Sequence, residues 1–342
     1  MPKLQIFCLV GITALLQAAL LHAGQGLVID TDGMLWDIDL TTGAYTNPRE
    51  TFRSDCPSCS PFQFGGALEL DSEGNLYGMN RNSLYLINAD DGEVQPIGTL
   101  GTQEYFPGGL AWDDSTSTMF GSHIAIPNTN DVVRHLTEVN LNTGQATSVV
   151  GNLFHTPHMA GLSFDNSGNL FSLWLYYLGT NKALLRLDKT NGQVLQSISL
   201  SGESIDGTLA GMDFDPDTNT MYIAKRPSNF SSPASLYTVN LDTGFLSLVG
   251  TYDEPIRATS LVIFPDLNGD FNSDGLVNGA DFLKWQRGES PNPLSASDLA
   301  DWQANYGISA SLVSSVNYVP EPSTVLLVAM ATVFGFSTRR SL

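Results

Sequence analysis

Basic residues are scarce in this chain. Its 342 residues include 15 lysines and arginines against 35 aspartates and glutamates, which gives a formal net charge of −20 at pH 7. A protein that binds nucleic acid needs a basic surface to displace the counterions of the phosphates, so no nucleic-acid partner is expected. Charged residues make up only 15% of the chain, but the hydrophobic share of 42% excludes a mainly disordered protein.

Cysteine is also rare, with three residues, of which Cys8 lies in an apolar N-terminal segment. Cys56 and Cys59 form the sequence Cys-Pro-Ser-Cys, a spacing found in disulfides, redox pairs and halves of zinc sites. The chain has no second cysteine pair for zinc, and no strand-helix-strand pattern surrounds the motif as in thioredoxin-like proteins. We predict a small loop disulfide between Cys56 and Cys59, formed in an oxidising compartment.

The first 23 residues have the three parts of a secretory signal peptide. Lys3 precedes a largely apolar run over residues 4–21, and Leu21-His22-Ala23 supplies a small residue before Gly24. This order predicts export and cleavage after Ala23. A retained N-terminal anchor is the alternative interpretation.

The C-terminal segment, residues 319–342, combines a short motif, an apolar stretch and a basic end. Pro320-Glu321-Pro322 leads into the stretch 324–337, which Arg339 and Arg340 follow. The stretch is shorter than the ~20 residues of a stable membrane span. This order resembles the PEP-CTERM sorting tail of exported bacterial proteins. The resemblance implies transient membrane contact through the tail, recognition by an exosortase protease, and release to the cell surface or extracellular matrix.

A phrase of nine residues recurs five times between the two ends. The copies are LWDIDLTTG at 35–43, LYLINADDG at 84–92, LTEVNLNTG at 136–144, LLRLDKTNG at 184–192 and LYTVNLDTG at 236–244. Each copy predicts a strand and a turn, because the Asp or Asn at its fifth position can bind turn amides and the final Gly tolerates a positive φ.

The repeat predicts an all-β, five-bladed β-propeller over residues 24–264. A hairpin pattern before four of the phrases and a short apolar strand after each phrase give four strands per unit at a period near 50. The first unit lacks its innermost strand, since residues 27–29 correspond to a second strand. Residues 260–264 supply the missing strand, so we expect the C-terminal strand to complete the first blade and close the ring.

The segments that lead into the innermost strands should converge around the axis on one face. When the innermost strands are aligned, the residue three positions before the aligned position of each strand belongs to a ring of mixed polar and aromatic character. These residues are Gln63, Phe106, His158, Thr208 and Arg257. Such a ring suits a binding pocket. It contains no pair of acids, so glycosidase or other general acid–base chemistry is not indicated there. His155 and His158 could instead chelate a metal, with a third ligand from another blade.

The segment that follows the repeats has the spacing of a calcium-binding loop. Oxygen-bearing residues occupy positions 1, 3, 5, 9 and 12, a glycine occupies position 6, and position 7 offers a backbone carbonyl. The predicted ligands are Asp270, Asn272, Asp274, the carbonyl of Leu276, Asn278 and Asp281. This is the EF-hand pattern, with Asp in place of Glu at position 12, and it predicts one bound Ca²⁺.

The helix predicted after this loop is echoed by a second one 17 residues later. Asp281 and Trp285 correspond to Asp298 and Trp302. The duplicated loop and helix, residues 265–308, resemble a type I dockerin, a family in which each half carries calcium and the pair binds a cohesin protein. The second loop, 288–297, has two prolines and no acid series, so we predict a single calcium site. Trp285 and Trp302 would pack the helices together, and residues 309–318 would link this module to the tail.

These features favour a non-enzymatic, calcium-binding protein that is exported to the surface or the extracellular matrix. Its propeller would bind a glycan or a protein, and a polysaccharide or a cohesin-like protein are the candidate partners. The alternative is a secreted propeller enzyme, of lyase, hydrolase or lactonase type, that its dockerin-like module tethers.

Overall fold

The fold is described from a computed structural model. The described residues are 25–56, 61–62, 66–80, 82–101, 104–125, 133–152, 158–175, 182–202, 208–226, 233–252, 254, 256–265, 268–271 and 277–307. Within these ranges the chain forms 21 β-strands followed by two short α-helices. No helix in the described ranges is long and apolar enough to cross a membrane. The predicted signal peptide, the linker and the sorting tail, including Pro320, Glu321 and Pro322, lie outside them.

The strands follow one another in sets of four along most of the chain. The first unit contains β1 (Gln25–Asp30), β2 (Met34–Asp39) and β3 (Tyr45–Glu50). The second contains β4 (Ala67–Leu70), β5 (Leu76–Asn80), β6 (Ser83–Ile87) and β7 (Val94–Thr99). The third contains β8 (Glu104–Asp113), β9 (Thr118–Ala125), β10 (Val133–Val139) and β11 (Ala146–Asn152).

The last two units and the end of the described chain complete the set. The fourth unit contains β12 (His158–Phe164), β13 (Leu170–Leu175), β14 (Lys182–Leu187) and β15 (Val194–Ser199). A two-residue strand, β16 (Ser201–Gly202), precedes the fifth unit, which contains β17 (Thr208–Asp215), β18 (Thr220–Arg226), β19 (Ala234–Val239) and β20 (Phe245–Tyr252). Then come β21 (Ala258–Ile263), α1 (Gly279–Gln286) and α2 (Ala296–Asn305).

Each unit is one blade of a five-bladed propeller. The sheets have the orders β21-β1-β2-β3, β4-β5-β6-β7, β8-β9-β10-β11 and β12-β13-β14-β15, and β16 adds a parallel edge strand to β17-β18-β19-β20. The first strand of each order contacts the corresponding strand of the next blade, and β21 contacts β4, so these five strands close a ring around the axis. The predicted five-bladed, all-β architecture is confirmed.

The ring is closed by a strand from the far end of the repeat array. β21 pairs antiparallel with β1, and Leu27 lies opposite Val262 in this pairing. Both side chains are fully buried. The first blade therefore combines both ends of the repeat array, as the missing innermost strand of the first repeat predicted.

Glycines in the innermost strands allow neighbouring blades to approach closely. A Cβ atom on Gly109 would lie 2.4 Å from the backbone nitrogen of Leu162, and one on Gly211 would lie 2.3 Å from that of Leu261. No side chain fits at these distances, which explains why the repeated hairpin pattern places glycine there.

The turns of the repeated phrase are built as predicted. In the first copy, Asp39 Oδ1 accepts hydrogen bonds from the backbone amides of Thr41 at 2.7 Å and Thr42 at 3.2 Å. Asn88, Asn140, Asp188 and Asn240 accept equivalent bonds from the residue two positions later. The closing glycines have φ between 70° and 82°. Two acids of this chain, Asp39 and Asp188, therefore serve the geometry of these turns.

Candidate functional site: an acidic cavity on the propeller axis

The five innermost strands run in the same direction along the axis, so the propeller has an N-terminal face and a C-terminal face, named after the strand ends that lie there. Phe106 lies in β8, His158 and Thr208 begin β12 and β17, and Arg257 directly precedes β21. Gln63 lies outside the described residues, as do the side chains of Phe106, His158 and Thr208. The convergence of this predicted ring at the N-terminal face therefore stays a prediction, and so does metal binding by His155 and His158, since His155 is not described either.

Two arginines lie near each other on the N-terminal face. Arg226 is opposite Thr208 in the pairing of β17 with β18. Burial lowers the pKa of the Arg226 guanidinium, and the positive charge of Arg257 lowers it further. This part of the N-terminal face thus carries two neighbouring positive charges.

A cavity of about 600 Å³ lies at the C-terminal face. Its lining residues fall within 69–74, 112–115, 163–168, 213–217 and 263–265, the ends of the five innermost strands and the residues that follow them. All five blades contribute, so the cavity lies on the propeller axis.

The helical segment contributes to the same cavity. Asn268, which follows the last strand, and Asn305, the last residue of α2, are both lining residues. The side-chain amide of Asn305 donates a hydrogen bond to the carbonyl of Asn268 at 2.8 Å, which joins the end of α2 to the residues just before the predicted calcium loop. The cavity is therefore walled by the propeller and by the segment that follows it.

Asp213 joins three blades at the inner end of this cavity. Its Oδ1 accepts hydrogen bonds from Ser163 Oγ at 2.9 Å and from the Phe214 amide at 2.8 Å, and its Oδ2 accepts one from the Ile263 amide at 2.7 Å. Burial raises the pKa of this carboxyl to about 6, against the opposing effect of the three hydrogen bonds. Asp213 links its own blade to both neighbours.

Glu69 is a second buried acid in the cavity wall. Its side chain is 8% exposed, and its Oε1 accepts a hydrogen bond of 3.1 Å from the amide of Leu70. Burial raises the pKa of this carboxyl well above its ordinary value, and the negative charge of Asp213 raises it further. Glu69 is therefore protonated under conditions in which an exposed glutamate is charged.

The rest of the wall is aromatic and acidic. Trp112, Phe164 and Phe214 supply rings, and the Trp112 indole donates a hydrogen bond to Asp114 Oδ1 at 2.8 Å. Asp113 lies beside them and pairs with Lys189 of the next blade. Burial raises the pKa of Asp113, but the bonds from Lys189, Ser115 and Thr116 lower it overall. Among the described lining residues, none is Lys, Arg or His. The two faces of the propeller thus differ in charge.

Sequence reasoning missed this site because it examined only the N-terminal face for acid pairs. Glu69 and Asp213 each lie two residues before the first acid of a hairpin turn, where the other blades have Ala111, Ser163 and Val262. A charged residue inside an otherwise apolar innermost strand was the available signal, because an acid is rarely buried there without a purpose.

The predicted calcium ligands are only partly within the described residues. Asn272, Asp274 and Leu276 lie outside them, and Asp270, Asn278 and Asp281 lie inside. Asp281 is fully buried in the first turn of α1, and its Oδ2 accepts a hydrogen bond of 2.8 Å from the amide of Asn278. Val277 is also fully buried, as expected for the core-facing position of such a loop. In the described part of the chain, no group of three or more His, Cys, Asp or Glu residues could hold a metal.

The two helices are joined by a pair of equivalent hydrogen bonds. The Trp285 indole donates to the carbonyl of Ser295, the N-cap of α2, at 2.9 Å. The Trp302 indole donates to the carbonyl of Asn278, the N-cap of α1, at 2.7 Å. Phe282 packs against both indoles, with ring centroids at 5.6 and 4.7 Å. Both tryptophans hold the helix pair together, as predicted.

Cys56 forms a disulfide, and its partner lies outside the described residues. Cys59 is itself outside them, so the Cys56–Cys59 pairing stays a prediction.

Comparison with solved structures gives similarities of low identity. Virginiamycin B lyase from Staphylococcus aureus is 11% identical, with a TM-score of 0.35, over 65% of this chain and 68% of that chain. A luciferin-regenerating enzyme is 13% identical, with a TM-score of 0.39, over 67% of this chain and 77% of that chain. The periplasmic gluconolactonase of Pseudomonas aeruginosa is 13% identical, with a TM-score of 0.37, over 67% and 82%. These values assign no activity to this chain.

No curated protein matches the sequence. Residues 319–341 match the PEP-CTERM protein-sorting motif, at the position where the sequence predicted it. This motif indicates export, sorting by an exosortase and C-terminal processing at the membrane or cell surface. The chain is therefore an exported, PEP-CTERM-sorted protein with a five-bladed β-propeller.

Proposed function

We propose that this protein is a non-enzymatic, calcium-binding component of the cell surface or extracellular matrix whose propeller binds a glycan. The observation that carries the proposal is the axial cavity of about 600 Å³, a volume typical of small-molecule sites. Its wall combines aromatic rings with carboxyl and amide groups. Sugars present an apolar ring face and several hydroxyl groups, so they need both kinds of surface.

Binding is favoured over catalysis by the state of Asp213. Paired carboxyl groups with separated pKa values are typical of acid–base catalysis, and Glu69 and Asp213 provide the specific observation for the alternative, a secreted hydrolase or lyase. However, both oxygens of Asp213 already accept hydrogen bonds from three blades. A carboxylate held in this way serves the structure and has little freedom to accept a substrate proton.

A glycan-binding screen of the exported protein tests the proposal. We expect at least one glycan to bind, and Trp112→Ala to weaken its binding about tenfold or more, because the ring is part of the cavity wall. Phe245→Ala removes an aromatic residue that is 52% exposed and lies outside the cavity, and should leave binding unchanged. Failure to bind any glycan, with and without calcium, would reject glycan binding, and turnover of a bound glycan would favour the enzyme.

The helical module binds one calcium ion, with oxygen ligands from the loop that starts at Asp270 and ends at Asp281. Three observations on the second half support a single site. Asp298 corresponds to Asp281 and is likewise buried in the first turn of its helix. Its carboxylate accepts hydrogen bonds from the backbone and side-chain amides of Asn292, at 2.8 and 3.0 Å. Burial raises the pKa of Asp298, but these bonds lower it overall. Amide donors of the chain itself thus stabilise this carboxylate, as a calcium ion would.

Calorimetric titration of the exported protein with calcium tests this. One site is expected, and Asp274→Ala should abolish it by removing a carboxylate ligand. Asp301→Ala removes an exposed acid of α2 outside the loop and should leave the titration unchanged. Two equal sites, or none, would contradict the proposal. Cohesin recognition would be a property of this same module.

Delivery to the matrix follows from processing of the sorting tail. Mass spectrometry of protein at the cell surface should find a C-terminus that lacks Arg339 and Arg340, because cleavage at the motif removes both. Surface protein that retains them would contradict exosortase processing.

A further inference from the structure

Two arginines of the N-terminal face are brought together by the register of neighbouring innermost strands. β17 and β21 lie side by side, and a Cβ atom on Gly211 of β17 would lie 2.5 Å from the carbonyl carbon of Ser260 in β21. Three positions earlier along the two strands are Thr208 and Arg257. Arg226 lies directly opposite Thr208 in the pairing of β17 with β18. Arg226 and Arg257 therefore flank the same backbone position, one in the fifth blade and one in the first.

The guanidinium group of Arg226 lacks a partner of opposite charge in the described part of the protein. It is partly buried, and it forms no hydrogen bond or ion pair with any residue of the described ranges. Burial and the positive charge of Arg257 both disfavour its charged form. Taking a charge out of water costs free energy unless an opposite charge or hydrogen bonds replace the water. The protein alone thus leaves this cation uncompensated.

A missing partner at Arg226 is unexpected in a chain with 35 acids and only 15 bases. Acids are abundant, and three other basic side chains of the described ranges each pair with one. These pairs are Arg49 with Asp37, Arg53 with Asp55, and Lys189 with Asp113. The position of Arg226 beside a second arginine is therefore suited to an anion that comes from outside the chain.

Two neighbouring guanidinium groups fit a doubly charged oxyanion. Each guanidinium presents its N–H donors in a planar fork that matches the oxygens of a carboxylate or phosphate group. One dianion can therefore accept hydrogen bonds from both arginines and neutralise both charges. The net charge of −20 disfavours anions over the protein as a whole, so binding of an anion requires a local site of this kind.

We propose that Arg226 and Arg257 bind a small, doubly charged oxyanion at the N-terminal face of the propeller. Two sources share this chemistry: inorganic phosphate, and a dicarboxylate. This site goes beyond the proposed function, since it lies at the end of the axis opposite to the cavity proposed for the glycan.

Calorimetric titration of the full exported protein at pH 8 tests the proposal, in a calcium-free buffer of low ionic strength. The ligands are inorganic phosphate, succinate and succinamide, the neutral diamide of succinate. The proteins are the wild type, Arg226→Gln, Arg226→Lys and Arg287→Gln. Arg287 is an exposed residue at the end of α1, so it provides a matched control for the loss of one positive charge.

We expect phosphate, succinate or both to bind the wild type at one site, and succinamide not to bind. Arg226→Gln should weaken the binding about tenfold or more, as expected for loss of hydrogen bonds to a charged group. Arg226→Lys should weaken it less, because it keeps the charge and loses only the planar fork. Arg287→Gln should leave it unchanged. Binding of phosphate alone, or of succinate alone, identifies the source.

Urea unfolding separates this role from a structural one. Without an anion, Arg226→Gln should be at least as stable as the wild type, because it removes one of two neighbouring positive charges. The anion that binds should stabilise the wild type, since a ligand of the folded state opposes unfolding, and it should not stabilise Arg226→Gln.

Four results would overturn the inference. They are the absence of binding by either anion, binding that Arg226→Gln leaves unchanged, equal losses of affinity in Arg226→Gln and Arg287→Gln, and a loss of stability in anion-free Arg226→Gln. None of them bears on the glycan screen, which depends on Trp112 at the other face, so the two proposals fail separately.

Discussion

Glu69 and Asp213 make the stability of the propeller depend on pH in a way opposite to that of most acids. The pKa of Glu69 is higher in the folded protein than its ordinary value of 4.5, and that of Asp213 rises from 3.8 to about 6. Their contributions are fully present below the ordinary values and are lost as the pH rises through the folded ones. For Asp213 the loss between about pH 4 and pH 7 is on the order of 3 kcal/mol.

Glu69→Gln should therefore stabilise the protein, and more strongly as the pH rises from 5 to 8. The amide has no proton to lose, so the cost of ionising a buried carboxyl disappears. Urea unfolding at pH 5 and pH 8 measures this, with Glu138→Gln, at an exposed position of β10, as the control that should follow the wild type. A destabilisation by Glu69→Gln that is equal at both pH values would contradict the pKa assignment.

Asp213→Asn should behave in the opposite way, although it is the same kind of substitution. The oxygens of Asp213 accept three hydrogen bonds, so an amide would place an N–H group against either the Ile263 amide or the pair formed by Ser163 Oγ and the Phe214 amide. An unsatisfied buried donor costs about 1–3 kcal/mol. The same urea unfolding series should show this loss at pH 4, where little ionisation cost of Asp213 is present for the amide to remove; an unchanged stability at that pH would show that Asp213 does not join the blades.

At the scale of the elements, the helix pair has an internal control. Trp302 donates to the carbonyl of Asn278, inside the predicted calcium loop, and Trp285 donates to Ser295 in the second half, where the carboxylate of Asp298 is already satisfied. Trp302→Phe and Trp285→Phe each remove one indole hydrogen bond, which contributes about 1 kcal/mol. Both should lower the stability of the module by similar amounts.

Only Trp302→Phe should weaken calcium binding, because only its partner belongs to the first loop. Calorimetric titration with calcium and thermal unfolding of the two variants provide the comparison. Equal losses of calcium affinity in both variants would mean that the tryptophans act on calcium only through general stability.

The blades were readily predicted from the sequence, because their turns use residues of special conformation at a constant spacing. Asp39 and Gly43 of the first copy have counterparts in every repeat, and each set forms the same turn. The strand that closes the ring was also predictable, from an incomplete first repeat and an unassigned last strand. The turn residues are a local feature of the sequence, and the closing strand is found by counting the strands of each repeat.

The acidic cavity was not predicted, because no single repeat contains it. Glu69 and Asp213 belong to different blades, 144 positions apart, and they come together only when the ring closes. The equivalent positions in the other blades hold other types of residue, so a search for repeated features does not detect these two acids. A site made of the differences between repeats requires the three-dimensional arrangement.

At the scale of the whole molecule, the propeller depends on a pairing between the two ends of the repeat array. A chain that ends after Pro265 keeps β21, and one that ends after Ile256 loses it together with the pairing of Leu27 with Val262. We expect the longer chain to unfold cooperatively in urea and the shorter one to lose cooperative unfolding, since the first blade then lacks its innermost strand. Equal stability of the two chains would contradict closure by β21.

We expect the ligand of this exported protein to bind on the axis at the acidic C-terminal face. A crystal structure of the protein with its tightest-binding glycan would show the binding site directly. Ligand density is expected beside Glu69 and Trp112. Density beside Arg226 and Arg257, at the opposite end of the axis, would contradict it.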